Sequence, residues 1–183
     1  MILCNVDLRE TLQALMSDAH ARTPFPSPEK PNGRKLAKAV ERASEEFAAK
    51  NLRFTKLRQM VYEEIAATYA SIGAYEILNR LADKGTRVAP ISIYRAIDAL
   101  LEAGVIHRLE SKNAFFACRR MDHRTGRRPL FLSCEKCGAV GEVDGQHIFD
   151  LIGEAADGAN FKARVKFVEV QGLCPRCAAS AKE

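Results

Sequence analysis

Pro90-Ile-Ser-Ile-Tyr-Arg-Ala-Ile-Asp-Ala-Leu-Leu-Glu-Ala-Gly-Val-Ile-His-Arg-Leu109 is the stretch whose reading decides the fold. Pro90 suits a first helical turn, where its missing N–H leaves no bond unmade. Ile93, Ile97, Leu100 and Leu101 then recur at helical spacing and form one stripe to bury. Gly104 ends the helix. Val105–Leu109 and Ala114–Cys118 read as two strands, with Ser111-Lys112-Asn113 turning between them. At about 100° per residue, Arg95 falls opposite the apolar stripe.

Upstream, the pattern is helical again. Leu36 to Ala49 has apolar residues at 36, 39, 40, 43 and 47, and Asn51 breaks it. Thr55 can cap a second helix running to about Ala70 that buries Leu57, Val61 and Ile65. Ala74 to Lys84 makes a third, burying Ile77, Leu78 and Leu81 and closed by Gly85. Helices ending in Pro90–Ala103 and followed by a hairpin make the winged-helix form of helix-turn-helix, expected over residues 36–118. In that motif Arg95 is free to enter a groove and contact guanine, and Ser92 and Tyr94 lie in the turns that reach base edges or phosphates. Lys112, at the hairpin tip, is a candidate phosphate contact. The bland alternative for each is a solvated surface residue. Residues 1–35 read as a flexible extension: an amphipathic stretch from Leu8 to Met16, then Thr23-Pro-Phe-Pro-Ser-Pro28, whose prolines exclude a helix.

Downstream, residues 119–129 are polar and Arg-rich and read as a hinge. Residues 130–183 read as a small α+β domain. Leu130–Ser133 and Ala139–Val143 are expected strands, Gln146–Asp157 a helix stopped by Gly158, and Phe161–Val170 a long alternating strand. Cys134-Glu-Lys-Cys137-Gly138 and Cys174-Pro-Arg-Cys177 bracket this domain. Four thiolates paired in this way make a tetrahedral sulfur cage suited to zinc, which would staple two remote parts of the domain. Two disulfides, or a redox dithiol at Cys174-Pro-Arg-Cys177, are the alternative. A redox motif, however, needs only one such pair.

The 28 basic and 23 acidic residues leave a net charge of +5, which permits nucleic-acid binding without demanding it. The distribution is more telling. Lys50, Arg53, Lys56 and Arg58 occur without an intervening acid, and Arg119, Arg120, Arg124, Arg127 and Arg128 crowd the hinge. No apolar run approaches the ~18–20 residues of a membrane span, and Met1–Val6 is too short for a signal peptide. A cytoplasmic protein is expected, in keeping with reduced cysteines. No buried acid–base pair, nucleophile triad or phosphate loop is visible. Neither an enzyme nor a small-molecule substrate is therefore expected.

Taken together, Val88-Ala-Pro-Ile-Ser-Ile-Tyr-Arg95, Ala99-Leu-Leu-Glu-Ala-Gly-Val-Ile-His-Arg-Leu-Glu110 and Cys134-Glu-Lys-Cys-Gly-Ala-Val140 closely resemble the ferric uptake regulator family. The order of winged helix, hinge and zinc-knuckled domain matches as well, over about residues 36–178. Met121-Asp-His-Arg-Thr-Gly-Arg-Arg-Pro129 has one histidine where iron and peroxide sensors carry a His-His-x-His run. With Ile106–Ser111, Cys118 and the ending Gly172–Cys177, this resembles the zinc uptake branch. The resemblance implies a regulatory zinc at the hinge, held by His107, Cys118, His123 and Glu142, besides the structural zinc at Cys134, Cys137, Cys174 and Cys177. It also implies a DNA contact at Tyr75. The expected function is that of a homodimeric, zinc-responsive repressor of zinc-uptake genes that binds an inverted-repeat operator in double-stranded DNA. An iron-, manganese- or peroxide-responsive regulator of the same family is the alternative. A dithiol oxidoreductase and a zinc adaptor that does not bind DNA are the readings outside it.

Overall fold

The computed structural model describes residues 24–26, 33–119, 128–164 and 167–180. Among the described residues four helices come first: α1 (Gly33–Ala49), α2 (Lys56–Ala66), α3 (Ala74–Asp83) and α4 (Pro90–Ala103). Their apolar faces meet in one core made of Phe47, Val61, Tyr62, Ile65, Ile77, Leu81, Ile93, Ile97 and Leu100. Strands β1 (Ile106–Leu109) and β2 (Ala114–Ala117) pair antiparallel, and Ile106 and Phe115 close the same core. This is a winged helix.

The turn from α4 into the wing depends on one residue. Gly104 is left-handed at φ 75°, and its N–H bonds back to the Leu101 carbonyl. An alanine there would set its Cβ against the neighbouring carbonyl at a cost of about 1–2 kcal/mol. Gly104→Ala is therefore expected to lower the urea midpoint by that equivalent with an unchanged slope. An unchanged midpoint would rule out the strain.

In this unit the structure departs from the sequence-based expectation in several details. First, α1 starts at Gly33, inside the stretch expected to be an extension. Second, α2 stops at Ala66, short of about Ala70. The chain beyond it is drawn into other pairings: Ala70 bridges Ala139, Ile72 bridges Phe115, and the Ser71 N–H donates to the Gly138 carbonyl at 3.2 Å. Thr55 has the extended backbone of an N-cap, but its side chain makes no cap hydrogen bond. Third, α2 buries Tyr62 and Glu64 as well as Val61 and Ile65, whereas Leu57 is only half-buried. The Glu64 carboxylate pairs with Lys84, which compensates its burial.

The second unit contains β3 (Pro129–Cys134), β4 (Val140–Asp144), α5 (Gln146–Gly158), β5 (Val168–Gly172) and a short α6 (Pro175–Ala179). Its sheet runs β4-β3-β5, with β4 antiparallel and β5 parallel to β3. The long strand expected over Phe161–Val170 is corrected here. Among the described residues the pairing covers Val168–Gly172, opposite Leu130–Cys134 of β3. Phe161–Arg164 lacks strand structure, and residues 165–166 lie outside the described residues.

The register places Glu142, Phe131 and Glu169 in one row across β4, β3 and β5. The wing lies over this row. Leu109 and Phe116 from the hairpin pack with Phe131 and Val140 from the sheet. The Phe131 ring stands 5.0 Å from His107 and 5.1 Å from Phe116. On another part of the sheet, Phe25 of the N-terminal stretch packs against the cysteine cluster beside Tyr69. Among the described residues no helix is long and apolar enough to cross a membrane.

Candidate metal centres and DNA-facing surface

Among the described residues, two groups of ligand-type side chains converge. In the first, Cys134 ends β3, Cys137 follows in the turn, and Cys174 and Cys177 flank the start of α6. One ligand atom from each lies within 4.8 Å of every other. The turn is tight because Gly138 is left-handed at φ 72°, and a Cβ there would stand 3.2 Å from that of Ala70. The Cys137 and Cys174 sulfurs are 3.7 Å apart and the four cysteines of the cluster form no disulfide.

The electrostatics of the cluster favour a cation. Burial pushes the Cys134 thiol up, but hydrogen bonds from the backbone of Cys174, Cys137 and Lys136 and from the Cys137 side chain outweigh it and bring Cys134 down to about 6. Burial pushes Cys177 up to about 12, reinforced by its bonds to Cys174, Cys137 and Cys134. One thiolate forms readily, and the last resists, chiefly through burial and then through hydrogen bonds to the three sulfurs crowded around it. A divalent cation would relieve this crowding, and four sulfurs in a closed set match structural zinc.

In the second group His107, Cys118 and Glu142 bring one ligand atom each within 4.8 Å of one another. Opposite Phe116 in the hairpin, His107 shares a face with Cys118, whose N–H donates to the Val105 carbonyl at 2.9 Å. Glu142 comes from β4 in the other unit. Cys118 is 4% and Glu142 6% exposed, so the pair is shielded from water. The Glu142 carboxylate accepts the Arg119 N–H at 3.2 Å and lies 3.9 Å from the Cys118 sulfur. Sulfur, imidazole and carboxylate make a mixed donor set that suits zinc, with one tetrahedral position left for a fourth ligand. His123, expected to fill it, lies outside the described residues, as do Arg120, Arg124 and Arg127 of the hinge and Leu8–Met16 of the extension.

Two neighbours bear on this group: Tyr62, which sequence reasoning missed, and Arg119, which it read only as part of the basic hinge. Tyr62 of α2 is buried, and burial first and Cys118 second push its phenol above the usual range, against Arg42 and Arg119. Burial pulls the Arg119 guanidinium down, against Glu142 and Tyr62, which stabilise its charge. The hinge group thus abuts the winged-helix core through Tyr62. A tyrosine on the buried stripe of a helix gave no signal of this.

The proposed DNA-facing residues are distributed differently. Arg95 and Tyr94 are exposed on α4, Ser92 is half-buried in its first turn, and Tyr75 at the start of α3 is 68% exposed. Ile91, 58% exposed, lies at the same end of α4. Lys112 does not point away from the protein: its Nζ is 3.5 Å from the Cys134 carbonyl of the second unit.

Residues 49–171 match the ferric uptake regulator family. The chain is 33% identical over 130 residues to the zinc uptake regulation protein of Escherichia coli K12, an alignment covering 71% of this chain and 75% of that one. To the ferric uptake regulation protein of Legionella pneumophila it is 26% identical over 108 residues, 58% of this chain and 76% of that one. Among solved structures, a zinc uptake regulator complexed with zinc and DNA superimposes with a TM-score of 0.73 at 29% identity, over 81% of this chain and 98% of that one. The holo form of XcZur gives 0.67 at 31% identity, over 78% and 98%.

Proposed function

The chain belongs to the ferric uptake regulator family, and on that premise we propose that it is a zinc-responsive transcriptional repressor that binds operator DNA when its hinge site is occupied. One observation carries the reading: His107 and Cys118 from the wing and Glu142 from the sheet converge across the joint between the two units. The likeness to a zinc uptake regulator bound to zinc and DNA supports it.

Cys134, Cys137, Cys174 and Cys177 would hold one structural zinc per subunit, and His107, Cys118 and Glu142, with His123 as the expected fourth ligand, one regulatory zinc. Zinc supplies a small divalent centre that demands convergent donors and carries no redox chemistry of its own. The wing's His107 and Cys118 can meet Glu142 at such a centre in only one relative orientation of the units. Filling the site therefore shifts the population toward that orientation. With a single thiolate, the hinge set holds zinc less tightly than the four-sulfur cage, as a sensor requires.

Two copies pair through the second units, where Phe167, Val170 and Leu173 are exposed on or beside the edge strand β5. The two winged helices then read the half-sites of an inverted repeat, and occupancy represses zinc-uptake genes. The protein acts in the cytoplasm as a regulator without a small-molecule substrate. No observation favours an iron, manganese or peroxide response; a buried cysteine sulfur in the hinge set suits zinc better than manganese.

Arg95 is the proposed base reader. Arg95→Ala is expected to cost about 1–3 kcal/mol on the best operator and to relax the preference at one base pair. Competition gel shifts with single-base operator variants check this. An equal loss on every sequence would make Arg95 a phosphate contact instead.

A further inference from the structure

We propose that Glu169 is a positioning residue that latches the tip of the wing to the sheet, a second anchor besides the hinge site. Its carboxylate accepts two successive backbone N–H groups of the wing turn: Glu110 N–H donates to Oε1 at 2.6 Å and Ser111 N–H to Oε2 at 3.3 Å. These groups open the short 3-10 turn Glu110–Lys112, whose own carbonyls cannot serve its first N–H groups. A carboxylate shared between two amides makes charge-assisted bonds, stronger than neutral ones.

Nearby charges are arranged to keep the latch in place. The Glu110 carboxylate pairs with Arg108, whose Nε is 3.2 Å away, which offsets its charge next to Glu169. Lys112 reaches the Cys134 carbonyl from the same turn, adding a weaker polar contact to the same sheet.

The register gives the latch its consequence. Glu142, Phe131 and Glu169 stand in one row across the three strands. Glu142 meets the base of the hairpin at Cys118, Phe131 packs under its middle, and Glu169 meets its tip. The contact at the base and the packing under the middle leave the tip of the wing to be held. Anchors at both ends fix its direction, and with it the direction of α4, which is joined to β1 through Gly104. The role rests on the proposed function, because direction matters only if α4 must meet DNA at a set angle.

The test uses the full zinc-loaded chain, with Glu169→Ala and the isosteric Glu169→Gln. Amide hydrogen exchange at Glu110 and Ser111 is expected to accelerate about tenfold in Glu169→Ala and less in Glu169→Gln, whose amide oxygen still accepts a bond. Zinc content and the melting curve stay unchanged. Binding at saturating zinc is read on a duplex selected by the wild-type protein from a random-sequence pool, and should weaken about tenfold in Glu169→Ala. Unchanged exchange at both amides overturns the latch, and this readout needs neither DNA binding nor a zinc switch. Accelerated exchange with unaltered duplex affinity overturns the positioning role. Loss of zinc from either variant also overturns it, since the effect would then belong to the metal sites.

Discussion

Cys134→Ser is expected to unfold the second unit while the winged helix stays folded. The wing and four helices have their own core around Phe47, Ile65, Ile97 and Leu100. The second unit has far less to bury: among its described residues only Phe131, Ala139, Val140 and Phe149 join Cys134, Cys174 and Cys177 as buried apolar groups. A four-thiolate zinc site contributes roughly 10–16 kcal/mol of apparent binding energy to folding, more than such a unit can supply by packing. Cys134 also anchors the backbone around the site. Its N–H donates to the Ala139 carbonyl, and its sulfur accepts the Cys174 N–H at 3.4 Å. Circular dichroism should therefore show most helical signal retained, sedimentation should show loss of the dimer, and bound zinc should fall. A dimeric variant with an unchanged melt would show that the cage is not what holds this unit together.

Cys118→Ser is expected to abolish zinc-dependent operator binding and leave the fold intact. Serine has nearly the size of cysteine and keeps the backbone bond from residue 118 to Val105, so little packing changes. The thiolate is nevertheless the softest and most zinc-selective donor of the hinge group. Removing groups that merely orient a metal ligand costs about 10–100-fold in metal affinity, and removing a ligand should exceed the upper figure. The zinc concentration needed for half-maximal gel shift should rise by more than about 100-fold, with the melting temperature and structural zinc unaltered. A variant that still switches at the wild-type zinc concentration would remove Cys118 from the regulatory site.

Much of this architecture could be read from the sequence, and the parts that could not share one cause. Periodicity located α4 from Pro90 to Ala103, because a proline start, an apolar stripe and a terminal glycine are local signals. The cysteine spacing singled out the four-sulfur cluster for the same reason. Failures came where a distant partner decides. The end of α2 is set by bridges from Ala70 to Ala139 and Ile72 to Phe115, and the extent of β5 by its pairing with β3. Neither can be seen within the segment itself. At the hinge, the resemblance singled out His107, Cys118 and Glu142, but only the fold shows wing and sheet bringing them within 4.8 Å. Tyr62 and Glu169 carried no signal, since a tyrosine on a buried stripe and a glutamate on a half-exposed strand are ordinary residues until their neighbours are known.

The most direct test of a metal-gated joint is a titration of the purified protein with buffered free zinc, following metal per subunit by native mass spectrometry and operator binding by gel shift in the same samples. The account predicts that the first zinc per subunit binds without producing a shift and that the shift rises in step with the second. DNA binding that is complete with one zinc per subunit, or indifferent to the second, would contradict it.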